Sequence, residues 1–171
     1  MTAIARPREN LNMNRHPARL RAVLSAVCTI AMLLSFAPTA TAASAEKKAV
    51  LSAFQAMLDG LGKRDKAAML AQLLPGGSAT LMRNGKPVQM TFEALTDRLS
   101  QPGNETHEER IHDPLIRVDG NVAIIWAPFE FLLNGKVDHC GRDIVTLVRV
   151  DERWLIATIG DNSRTDCGPG K

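Results

Sequence analysis

His139 and Asp143 are four positions apart in the segment KVDHCGRDIVTLVRV, and Glu130 lies in the preceding apolar segment NVAIIWAPFEFLL. If the two segments are neighbouring strands joined at Asn134-Gly135, Glu130 falls opposite His139 and Asp143 opposite Trp126. An imidazole beside a carboxylate can move a proton between two atoms of a bound carbonyl compound. An apolar wall next to Asp143 would raise its pKa, as a proton acceptor working near neutral pH requires. Two other readings fit the same residues: a Glu–His pair that satisfies itself at a sheet rim, and polar groups that orient a ligand without reacting with it.

The elements that must position these groups are hairpin strands. Asp119-Gly120, Asn134-Gly135 and Asp151-Glu152 predict two-residue turns, pairing Val118 with Asn121, Leu133 with Lys136 and Val150 with Arg153. Directly opposed residues share a face. One face then carries Leu115, Ile124, Val145, Leu147, Trp154 and Ile156, with Glu109, Asp113, Trp126, Glu130, His139, Asp143 and Thr158 at its far end. The other carries Ile116, Ile125, Ile144, Ala157 and Ile159, with His112, Arg110, Arg142 and Asp161. Arg142 falls across from Asp161, and the pair predicts an ion pair pinning two strands. Pro128 cannot donate to a ladder, so a bulge is expected there, able to shift these pairings by one residue.

Upstream, Val50, Leu51, Phe54, Met57, Leu58 and Leu61 have the spacing of an amphipathic helix that Gly62 stops. Asp65 predicts the N-cap of a second helix, AAMLAQLL, ended by Pro75-Gly76-Gly77. Asn84-Gly85 predicts a type I′ hairpin. Thr91 predicts the cap of a third helix, FEALTDRLS.

Five of the 21 basic residues (Arg6, Arg8, Arg15, Arg19 and Arg21) precede Ala22, against the single acid Glu9. From Glu46 onward 16 basic residues face 17 acidic ones, so the net +3 resides in the leader and argues against a nucleic-acid partner. The basic stretch, the apolar run from Ala22 to Phe36 and the small residues APTATAASA read as a secretory signal over residues 1–45, cleaved near Ala42 or Ala45. The run is short for a bilayer span, so no stable membrane association is expected once the leader is removed. The mature chain keeps Cys140 and Cys167, an even pair in an oxidising compartment, one at the start of a strand and one after its neighbour. A disulfide between them is expected. His107, Glu109, His112, His139 and Cys140 lie close in sequence, but no metal-site spacing is present, and no metal or other cofactor is expected.

Two helices, a hairpin, a third helix and a four-stranded meander (ααββαββββ) resemble the nuclear transport factor 2-like superfamily, which includes SnoaL-like proteins. ERIHDPLIRVDGNVAIIWAPFEF, GKVDHCGRDIVTLVRV and RWLIATIGDNSRTDC are similar to exported bacterial members labelled lumazine-binding-like. The resemblance implies an α+β cone-shaped roll over residues 46–167, three helices packed on a strongly curved, mostly antiparallel sheet, followed by a short tail at 168–171. It implies a pocket for a small, mostly apolar ligand, and the face assignment above gives Trp126, Asp113, Thr158, Trp154 and Ile156 as its lining. A homodimer through the back of the sheet is also implied. The fold hosts both non-catalytic binders and cofactor-free isomerases, dehydratases and cyclases, so both functions stay open. The enzymatic alternative would use His139 with Asp143 or Glu130.

Overall fold

A computed structural model describes residues 40–168; residues 1–39, which hold most of the secretory signal expected over residues 1–45, and residues 169–171 lie outside it. The elements run α1 (Ala40–Gly62), α2 (Lys66–Leu70), β1 (Leu73–Arg83), β2 (Lys86–Thr91), α3 (Phe92–Leu99), β3 (His107–Ile111), β4 (Leu115–Asp119), β5 (Val122–Leu133), β6 (Lys136–Val150) and β7 (Arg153–Asp161). Ala42 and Ala45 fall within the first turns of α1.

The local chemistry explains the boundaries. Asp65 accepts the Ala68 amide at 3.0 Å and opens α2, and Thr91 accepts the Ala94 amide at 3.2 Å and opens α3. Positive φ at both residues of Asn84-Gly85, Asn134-Gly135 and Asp151-Glu152 closes three tight hairpins. Gly120-Asn121, rather than Asp119-Gly120, makes the remaining turn, pairing Asp119 with Val122 and leaving the faces unchanged. The expected second helix ends early. Leu73, Leu74 and Pro75-Gly76-Gly77 belong to β1, which meets β7 at Leu73 opposite Ile156 and again from Ser78 onward; just before it, Ile156 N–H donates to Gln72 O at 2.9 Å. The first strand of the meander also breaks in two at Asp113-Pro114, where Asp113 has φ 39°.

These strands form one seven-stranded sheet, β2-β1-β7-β6-β5-β3, with β4 pairing β5 beyond the end of β3. Every pairing is antiparallel except β1 with β7. The result is the expected α+β roll. Its concave side buries Ile116, Ile125, Val145, Leu147 and Ile156 against Val50, Phe54 and Met57 of α1. Glu46 fastens the start of α1 to the sheet. Its carboxylate accepts from Trp154 Nε1 at 3.2 Å and from Arg149, whose guanidinium lies 4.7 Å from the Trp154 ring centroid.

Two one-residue bulges decide which side chains enter the roll. Leu132 pairs Val137 but Phe131 pairs His139, so Asp138 is the extra residue; the expected bulge at Pro128 lies instead on the opposing strand. Leu147 pairs Ile156 but Thr146 pairs Thr158, so Ala157 is extra in β7. The second bulge lies where β1 passes closest to β7. β1 passes so close at Gly77 that a Cβ there would meet Phe92 at 2.4 Å and the Ala157 carbonyl at 2.6 Å.

Cys140 and Cys167 are joined by a disulfide with Cα atoms 5.8 Å apart. It holds the C-terminal segment beside the start of β6, where Cys140 and Arg164 exchange backbone hydrogen bonds of 2.9 and 2.8 Å. Replacing Cys167 by Ser is expected to lower the unfolding free energy by about 3 kcal/mol in urea denaturation. Alkylation of Cys140 and Cys167 without prior reduction would contradict the bridge.

Candidate functional site

Past the two bulges, the concave face carries a set of side chains different from the one the unbulged register predicts. Phe131 and His139 form one cross-strand pair, Phe129 and Gly141 the next, then Ala127 and Asp143, with Asp161 opposite Asp143 on β7. Glu109 enters from β3 opposite Phe131. Gly141 is needed between His139 and Asp143, since a Cβ there would meet the Phe129 ring at 2.8 Å.

Together with the helices these residues line a partly open cavity of about 200 Å³. Phe54, Met57 and Leu61 of α1, Leu81 and Met90 of the first hairpin and Leu95 of α3 form its apolar walls. Glu109, Asp143, Asp161, Arg83 and His139 form its polar end, and the exposed Arg98 lies along its lining.

The carboxyl groups are not equivalent. Arg83 Nη1 donates to both Asp161 oxygens at 2.7 Å, and the Met82 amide donates to the same carboxylate at 2.8 Å. Asp143 is only 4% exposed, and its side chain shares a hydrogen bond with Glu109. Burial first, then the charges of Glu109 and Asp161, raise the Asp143 pKa well above the ordinary carboxylate value. Burial and the Asp161 charge likewise push Glu109 up to about 7, against the opposing influence of its hydrogen bond with Asp143. Two adjoining carboxyl groups in an apolar hollow cannot both ionise cheaply, so the pair retains a proton close to neutrality.

His139 stacks on Phe131 with centroids 4.7 Å apart and meets Phe129 edge-on at 5.9 Å. Its Nδ1 lies 2.9 Å from the Asp138 carboxylate. His139 and Asp143 therefore reach the same cavity, but Glu130 does not. Glu130 pairs with Cys140 on the outer side and lies 3.3 Å from His112 Nε2.

The bulges relocate other expected site residues as well. Trp126 lies on the outer face, 41% exposed, between Leu115 and Ile144, with Arg142 5.9 Å from its ring centroid. Thr158 is outside too, hydrogen-bonded to Thr146 at 2.7 Å. Asp113 sits at the exposed break between β3 and β4. Trp154 and Ile156 do face inward, but they belong to the packed core beneath α1 and do not line the cavity. The expected Arg142–Asp161 ion pair is replaced by Arg83–Asp161, because the extra residue at Ala157 turns Asp161 inward while Arg142 stays outside. Glu109 and Arg83 are the residues that a motif reading passes over. Glu109 carries a signal, an acid in a strand of the meander, whereas Arg83 depends on the parallel β1–β7 pairing. Among the described residues no group of three His, Cys, Asp or Glu side chains is placed to hold a metal ion.

Comparison with known proteins gives two findings. The family model described as "Putative lumazine-binding" matches residues 45–159. Solved structures with the same fold include a nuclear transport factor 2-like protein of unknown function from Pseudomonas putida (12% identity, 74% of this chain and 98% of that one, TM-score 0.62). A protein of unknown function from Mycobacterium tuberculosis aligns at 16% identity over 75% and 78% of the two chains, with TM-score 0.63. A "putative scytalone dehydratase" from Novosphingobium aromaticivorans aligns at 10% identity over 70% and 85%, with TM-score 0.59. No protein of curated function matches the sequence.

A raised carboxyl pKa sets the sign of a stability change. The folded state holds a proton on Glu109 that the unfolded chain releases near pH 4.5, so this group's contribution falls as pH rises from about 4.5 through about 7 and is constant above. Glu109→Gln removes that dependence. The melting temperature of the variant relative to the wild type is expected to rise by about 5 °C between about pH 5 and about pH 8. Parallel melting curves across that range would show that Glu109 titrates normally.

Proposed function

We propose, for a chain that belongs to the lumazine-binding-like family and has the nuclear transport factor 2-like fold, that it is an exported protein which holds a small, mostly apolar molecule inside the roll. The observation that carries this reading is the hollow between the helices and the sheet. Its walls are Met, Leu and Phe side chains, and its polar groups gather at one end, as in sites that bury a ligand's body and fix its orientation. The leader-like sequence and the disulfide support export. Met90→Trp fills the hollow from β2. It is expected to weaken binding of a small aromatic probe by at least about tenfold in calorimetry. Unchanged affinity in that variant would place the binding elsewhere.

A second reading is acid–base catalysis on the bound molecule. The observation in its favour is a carboxyl group held near neutrality beside an imidazole in one cavity. In this reading His139 acts with Asp143, while Glu130 takes no part because it lies on the far side of the sheet. Asp143→Asn would then abolish turnover while leaving binding in place.

The outer face supports a homodimer through the back of the sheet. Leu115, Ile124, Trp126 and Ile144 are each more than 40% exposed and lie on neighbouring strands, an apolar patch of the kind that marks an association surface. Trp126→Asp places a charge at its centre. Sedimentation is expected to show a dimer for the wild type and a folded monomer for the variant; a wild-type monomer at micromolar concentration would refute the assembly.

A further inference from the structure

Residues 101–106, between α3 and β3, form no regular structure, and all of them are exposed. The two ends of this loop are tied to their neighbours. Gln101 Nε2 donates to Asp97 O at 2.8 Å, and the Thr106 amide donates to Asn134 Oδ1 at 3.0 Å. Between those ends the loop is organised around one side chain, Arg64, which reaches it from the turn between α1 and α2. Arg64 Nη1 donates to Gln101 O at 2.6 Å, and Nη2 donates to Glu105 O at 2.9 Å. The loop passes so near the guanidinium that a Cβ on Gly103 would meet Nη2 at 3.1 Å. Arg64 itself has φ 54°, a left-handed backbone that a non-glycine residue adopts at a cost. A segment with no buried apolar residue and so few bonds belongs to the least stable parts of a fold.

The same Nη2 lies 3.0 Å from His107 Nε2. A guanidinium offers donors only, so Nε2 accepts, and the imidazole is neutral with its proton on Nδ1. That Nδ1 is buried and has no hydrogen-bond partner. Phe131 packs on the ring, with centroids 5.6 Å apart, and the end of α1 lies close, where a Cβ on Gly62 would meet the His107 carbonyl at 3.2 Å. The charged groups facing the ring are Arg64 and Glu105. Burial first, and Arg64 next, hold the His107 pKa below the ordinary imidazole value, against the opposing charge of Glu105. A proton on Nε2 removes the acceptor and sets a second cation against Arg64. Because Nη2 also holds Glu105 O, the ring and the loop lose their anchor together.

These residues border the cavity. Leu61 lies three positions before Arg64, Leu99 lies just before the loop, and Phe131 carries the His107 ring; all three line the hollow. We propose that Arg64 and His107 form an acid-released latch: with His107 neutral they hold residues 101–106, and with them the ends of α1 and α3 at the cavity's rim, and protonation of His107 lets the loop go. The latch does not depend on what the cavity holds. The sign follows from the depressed imidazole pKa. The unfolded chain takes up this proton more readily than the folded one, so the latch is complete above about pH 6.5 and is lost as pH falls below that value.

Backbone 15N relaxation across a pH series tests the latch. Order parameters of Gly103 and Glu105 are expected near about 0.85 at about pH 7.5 and below about 0.6 by about pH 4.5, with β5 and β6 rigid throughout. The methyl resonances of Leu61 and Leu99, on the two sides of the rim, are expected to shift along the same profile. His107→Gln keeps an acceptor for Arg64 but cannot titrate, so its loop is expected to stay ordered at low pH. Arg64→Gln is expected to leave the loop mobile at every pH. Order that persists to about pH 4.5 in the wild type, an equal loss of order in His107→Gln, or a rigid loop in Arg64→Gln would each overturn the latch. Leucine resonances that stay in place while the loop loosens would overturn its hold on the rim.

Discussion

Three carboxyl groups and one guanidinium share the polar end of a hollow that is otherwise hydrocarbon. Asp161 is matched by Arg83; Asp143 and Glu109 must accommodate each other. In a medium of low polarisability the ionised forms of two adjoining carboxyls repel strongly, and a retained proton is the way the pair relieves that repulsion. Such an arrangement destabilises the fold near neutral pH, since an apolar pair of similar volume would pack there without the penalty. Buried carboxyl groups held in such a costly arrangement are concentrated at functional sites.

The backbone devices that create this cluster are small. One extra residue at Asp138 turns His139, Gly141 and Asp143 inward, and one at Ala157 turns Asp161 inward beside them. A strand's side chains alternate between faces, so each bulge reassigns every residue beyond it. Without the first bulge Glu130 and Trp126 would share a face with His139 and Asp143, and without the second Asp161 would lie on the opposite face from Asp143. The close approach of β1 at Gly77 fits the second bulge, and the same strand delivers Arg83 to Asp161. Fold and site are thus linked through the β1–β7 contact.

Features encoded by a few adjacent residues were legible in the sequence. Asp65 and Thr91 cap the helices expected of them, Asn84-Gly85 and Asn134-Gly135 turn the chain as their left-handed preference dictates, and Cys140 meets Cys167. The α+β roll followed from the order of those elements. Within the site, His139 and Asp143 could be picked out by residue type, whereas the roles of Trp126, Thr158, Glu130 and Arg142 could not. Both faces of the meander are apolar, so alternation offers no way to decide which face is inside, and a one-residue bulge leaves no mark in composition. Arg83 was out of reach for another reason. Its partner is 78 positions away along the chain, across the only parallel pairing in the described sheet.

The measurement that bears most directly on the account is a carboxyl titration by 13C NMR with selective assignment of Glu109 and Asp143. A Glu109 carboxyl titrating near pH 7, with Asp143 also shifted upward, is the predicted result. Both carboxyls ionising independently at the ordinary value of about 4 would contradict it, for the polar end of the hollow would then be wet and its acids unremarkable.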